Sequence, residues 1–69
     1  MNWQPPTGWC QESEDRAYSV AKVGLTDGYR YEAWRTRRHR DGPHCLAVNL
    51  TSAEIARQHC EEDHASESA

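Results

Sequence analysis

Residues 29–40, YRYEAWRTRRHR, alternate aromatic and charged side chains and then pass into a run of arginines. A period of two is the mark of a strand whose faces differ. Tyr29, Tyr31 and Ala33 fall on one face, and Arg30, Glu32, Trp34, Thr36 and Arg38 on the other. Ala33 is small enough to let a helix approach the first face. The segment therefore reads as a central strand, and its neighbours must supply the rest of a sheet.

They do so on both sides. Tyr18–Leu25, YSVAKVGL, sets Ser19, Ala21, Val23 and Leu25 against Tyr18, Val20 and Lys22. Thr26-Asp27-Gly28 then forms a tight hairpin, because glycine accepts the positive φ such turns use. After a second turn at Arg40-Asp41-Gly42-Pro43, His44–Leu50 sets Leu46, Val48 and Leu50 against Cys45, Ala47 and Asn49. Thr51-Ser52-Ala53-Glu54 has the Thr-x-x-Glu form of a capping box, which predicts a helix from residue 52 to about 64. Its inward stripe is Ile55, Ala56, His59 and Cys60, ending at Asp63 or His64.

The expected fold is α+β: a three-stranded antiparallel β-meander packed against one C-terminal α-helix (β-β-β-α), over residues 18–65. Residues 1–17 form an N-terminal arm, flexible in composition with Pro5-Pro6, Gly8 and acidic side chains, yet carrying Trp3 and Trp9. Two indoles leave two readings, an arm packed across the open face of the sheet or a partly disordered tail whose aromatics serve a partner. Residues 66–69 form a disordered tail. A chain of 69 residues draws only ~3 to 5 kcal/mol from its core, too little to build a deep active site.

No apolar run approaches the ~18 residues that span a bilayer, and the start, MNWQPPTGW, lacks a secretory layout. A cytoplasmic protein with no membrane partner is expected. Three widely spaced cysteines, Cys10, Cys45 and Cys60, fit reduced thiols, two of them buried, rather than a disulfide framework.

The net charge of -3 conceals a segregation. Residues 30–44 carry five arginines against Glu32 and Asp41, whereas residues 45–69 carry Arg57 against five acids. Two surfaces of opposite sign follow. One is a nucleic-acid candidate made of Arg30, Trp34, Arg35, Arg37, Arg38 and Arg40 on the open face and the hairpin after it. Its strand-strand-strand-helix order resembles the arm-binding domains of tyrosine recombinases and plant ethylene-response DNA-binding domains, which lay a three-stranded sheet in the major groove. Against it stand a pI of 5.7 and Glu32 in mid-face, and the arginines read better as a solvated hairpin end. The other surface is an acidic helix bearing Glu54, Glu61, Glu62 and Asp63.

His44, Cys60 and His64, with His39 and Cys10 in reserve, are weak candidates for a zinc site, with no CxxC knuckle to support them, and Cys60 reads better as a small packing residue. A Cys60 thiolate with a histidine base lacks an orienting third residue and an oxyanion hole, so neither an enzyme nor a cofactor is expected.

YRYEAW, then a short apolar strand, then Thr51-Ser52-Ala53-Glu54-Ile55-Ala56 and Cys60-Glu61-x-x-His64-Ala65 resemble small uncharacterised proteins of phages and prophages. The likeness covers residues 18–65 and departs at the arginine-rich turn, 35–43. It implies a setting rather than an activity, a small accessory protein in a bacterial host cell, and from that setting the first expectation is binding to a host or phage protein, with blocking of a defence or replication complex as one form of it. Nucleic acid is the alternative partner and a zinc-stabilised module the third reading. The chain is expected to act as a monomer or weak homodimer.

Overall fold

The computed structural model describes residues 1–68, and within them a turn at Thr26-Asp27 folds Tyr18–Leu25 (β2) back along Gly28–Arg35 (β3). Gly28 takes a φ of +137°, a value that side chains disfavour, directly after the turn. The register Val20↔Ala33 and Tyr18↔Arg35 puts alternate residues of both strands on one side. His44–Leu50 (β4) adds to the far edge of β3.

The sheet has four strands, not three. Cys10–Glu12 (β1) pairs antiparallel with β2, giving the order β1-β2-β3-β4. Three polar or small residues beside Pro5-Pro6 carry no periodic signal, and they join the sheet through backbone groups that any sequence can offer. The arm continues the hairpin: Gln4 N–H donates to the Glu12 carbonyl at 2.9 Å and Glu14 N–H to the Asn2 carbonyl at 3.0 Å. Trp3 packs against the core on the helix side, and its indole donates to Glu61 at 3.1 Å. It does not lie on the open face, where one of the two sequence readings put the arm.

Two register shifts interrupt β4. Tyr31 pairs Leu50, Ala33 pairs Ala47 and Trp34 pairs Cys45, so the strand gains an extra residue twice. Asn49, at a φ of 59°, absorbs the first shift; asparagine tolerates that left-handed geometry. The expected alternation therefore fails: Leu46 and Ala47 both pack on the core, and Val48 is exposed.

The helix is Ala53–Ser68 (α1), four residues longer than its expected end near 64; residue 69 of the expected tail lies outside the described residues. Its cap is Ser52, whose Oγ accepts the Ile55 N–H at 3.2 Å, one position beyond the predicted Thr51. The inward stripe shifts accordingly. Ala56 and Cys60 are fully buried while Ile55 is exposed, and only one cysteine, Cys60, is buried.

The core is small: Tyr18, Val20, Ala33, Ala56 and Cys60, with Trp3, Tyr31, Leu46 and Leu50 packed around it. Ala33, Ala56 and Cys60 are compact enough to bring the helix down onto the sheet. Among the described residues no helix is long and apolar enough to cross a membrane.

Candidate functional site

Beyond this core, the stripe of α1 continues from Cys60 to Asp63 and Glu67, and the inward series of β3 continues from Tyr31 and Ala33 to Arg35. The two series meet. Arg35 Nε donates to Asp63 Oδ2 at 2.9 Å and its terminal nitrogen to Oδ1 at 2.7 Å, a bidentate pair. The Tyr18 hydroxyl donates to Asp63 Oδ2 at 2.8 Å. His39, 6% exposed, enters from the loop between β3 and β4, and its Nε2 lies 2.9 Å from Glu67 Oε2 and 2.8 Å from Oε1.

A backbone contact sets the tautomer of His39. Asp41 N–H donates to His39 Nδ1 at 3.0 Å, so Nδ1 must present its lone pair. The neutral ring then carries its proton on Nε2, directed at Glu67. The Arg35 guanidinium holds the Asp63 carboxyl below the usual carboxylate range, outweighing burial, which pushes the other way. Burial, and then the hydrogen bond to Asp63, push the Tyr18 phenol up. Burial pushes the Cys60 thiol up to about 12, which leaves it a poor nucleophile at neutral pH.

His39, Asp63 and Glu67 are the group that could hold a metal ion among the described residues. Their chemistry argues otherwise. A ligating histidine donates its second N–H outward, whereas Nδ1 here faces a backbone donor. Both oxygens of Asp63 are already taken by Arg35. The arrangement is a polar clasp that fastens the loop after β3 to the last turns of α1. His44, Cys60 and His64 are not brought together as a ligand cluster: His44 is exposed, Cys60 is sealed against the sheet, and His64 sets its ring edge-on to Tyr18 at 6.1 Å.

The predicted arginine surface is divided. Arg35 faces the helix and belongs to the clasp. Arg30 stands at the opposite end of β3 from the arginine loop, 3.5 Å from Asp27 and donating to the Tyr29 carbonyl. Trp34 does lie on the open face, but its indole donates to Glu32 at 3.1 Å. Arg37, Arg38 and Arg40 remain exposed at the loop, with Arg40 3.7 Å from Asp41.

Arg16, which the sequence reading passed over, joins them. The Thr36 hydroxyl donates to the Arg16 carbonyl and Thr36 N–H to the Ala17 carbonyl, locking the two loops together. Arg16, Arg37 and Arg38 then line one polar depression of about 210 Å³ with Glu12 and Thr36.

The acidic helix is divided as well. Asp63 turns inward, and Glu61 accepts the Trp3 indole while staying at the surface. Glu54 and Glu62 are exposed. Tyr18 and Glu67 belong to no site expected from the sequence, and His39 stood there only as a reserve zinc ligand. Extending the period of two to Arg35 and the helical stripe to Glu67 would have found the Arg35 and Glu67 members, but nothing local marks His39. Compared with known protein families, with curated proteins and with solved structures, the chain matches none.

Proposed function

We propose that this chain is a small non-enzymatic accessory protein of the phage or prophage kind, acting in a bacterial host cell by binding a host or phage protein. One observation carries the reading. The acids left free by the clasp gather on the exposed side of α1, where Glu54, Glu61 and Glu62 stand with Ile55, itself 37% exposed. An acidic ridge with an apolar residue in it suits a basic surface on a protein, and with it a role in blocking a nucleic-acid-handling complex. The interior titratable groups are spent on one another, which supports a binding role over catalysis.

A second reading has its own support in the convergence of Arg16, Arg37 and Arg38, cations without a carboxylate partner among the described residues, which would meet nucleic-acid phosphates.

The test separates them. A partner captured from bacterial lysate is purified and measured against Glu54→Lys/Glu62→Lys and Arg37→Gln/Arg38→Gln variants. Loss of at least tenfold in the first pair alone supports the helix ridge. Loss in the second pair alone, with duplex DNA bound at physiological salt, replaces it with the nucleic-acid reading.

A further inference from the structure

A cavity lies between the N-terminal arm and the first turns of α1, on the helix side of the sheet. Its volume is about 470 Å³, within the roughly 300 to 1,000 Å³ of small-molecule sites. Pro6 to Gly8 wall one side, Ala53 and Arg57 the other, and Val20, Lys22 and Tyr31 form the floor.

The lining is selective in charge. The chain carries 11 acids against 8 lysines and arginines, yet this cavity is lined by two cations and no carboxylate. Lys22 and Arg57 have no ion-pair partner among the described residues. Arg57 donates one N–H to Gln11 Oε1 at 2.9 Å, which orients the guanidinium and leaves its other donors for a ligand. The Lys22 ammonium sits 4.1 Å from the centre of the Tyr29 ring. The Tyr31 hydroxyl, also in the lining, has no protein partner among the described residues.

An aromatic shelf adjoins these donors. Trp9 and Tyr29 form a tilted pair with ring centroids 6.2 Å apart, and they are 61% and 50% exposed. The six-membered ring of the indole lies beside Gly24, where a side chain would meet it. Two large aromatic rings left in water, one of them under the Lys22 ammonium, call for a flat partner with a negative group.

We propose that this groove is a nucleotide site, in which Lys22 and Arg57 hold a phosphate, Tyr31 donates to it, and a base stacks on Trp9. Bases of any identity stack on aromatic side chains, and a guanidinium pairs bidentately with phosphate. The ligand is either a free nucleotide or one nucleotide of a single strand, since both present the same base and phosphate. The site is separate from the acidic ridge, the arginine rim and the clasp, so it stands or falls independently of the protein-partner reading.

The test uses the full chain labelled with nitrogen-15, titrated with adenosine 5′-monophosphate, adenosine, inorganic phosphate and oligothymidylate. The monophosphate should shift the Trp9 indole and the Lys22 and Arg57 signals, and bind at least tenfold more tightly than adenosine or phosphate alone. Lys22→Gln, Arg57→Gln and Trp9→Ala, each checked for native fold by circular dichroism, should weaken it about tenfold, while Gln58→Ala, at an exposed helix residue outside the groove, leaves it unchanged. Oligothymidylate binding more tightly than the monophosphate assigns the site to a strand, and the reverse to a free nucleotide. Absence of shifts at millimolar monophosphate, or binding indifferent to Lys22 and Arg57, overturns the proposal.

Discussion

Arg35 and Asp63 grip each other through two parallel hydrogen bonds of 2.9 and 2.7 Å, tying the end of β3 to the third turn of α1. Each was a candidate for an outside partner of opposite charge, and each has instead found the other. Arg35→Ala and Asp63→Ala should both lower the melting temperature. The double variant should fall by clearly less than the two single losses added together, because the second change removes a bond already broken. Thermal denaturation of the four proteins checks it, and strict additivity would refute the coupling.

Stability should hold a plateau across neutral pH and fall at both ends. Asp63 is depressed below its ordinary 3.8, so its contribution is complete above that value and fades as pH drops beneath it. Cys60 and Tyr18 are raised above 9.0 and 10.0, so theirs is complete below those values and fades as pH climbs past them. Melting temperatures from pH 2 to 11 check this. Asp63→Asn should flatten the acid limb, and Tyr18→Phe should soften the alkaline one.

The three thiols should divide into two reactive and one silent. Cys10 and Cys45 are half-buried, whereas Cys60 is sealed under the helix with its thiol pushed up to about 12. Iodoacetamide at pH 8 should label Cys10 and Cys45 in the native protein and all three in guanidinium, as read by peptide mass spectrometry. Prompt labelling of native Cys60 would contradict the packing.

Ser52 rather than Thr51 should govern the helix start. Ser52→Ala removes the acceptor for the Ile55 N–H and should cost about 1 kcal/mol. Thr51→Ala, at an exposed residue outside the cap, should change the unfolding free energy by less than ~0.5 kcal/mol. Urea denaturation distinguishes the two.

The periodic parts of the fold were legible from the sequence, and the parts held by backbone bonds or distant partners were not. β2, β3 and the hairpin between them follow from alternation and from Asp27-Gly28. β1 escaped because three residues joined by main-chain bonds leave no pattern of side chains. β4 was located, but its facing was misread, since each inserted residue reverses the parity and only Asn49 hints at one of the two shifts. At the clasp, Arg35 lies on the Tyr31–Ala33 face by simple counting, yet neighbouring arginines drew it into a basic patch. His39 arrives through a loop whose path no local rule specifies.

The two interruptions in β4 bear on how copies of this protein meet one another. An outermost strand with an even row of free amides and carbonyls invites another strand to dock, and the growth of fibres begins that way. Here that row is broken at Leu46 and again at Asn49, so an incoming chain finds no straight ladder of more than a few residues to follow. Straightening the strand, as by replacing Asn49 with a β-branched residue, would exchange a crooked margin for an adhesive one.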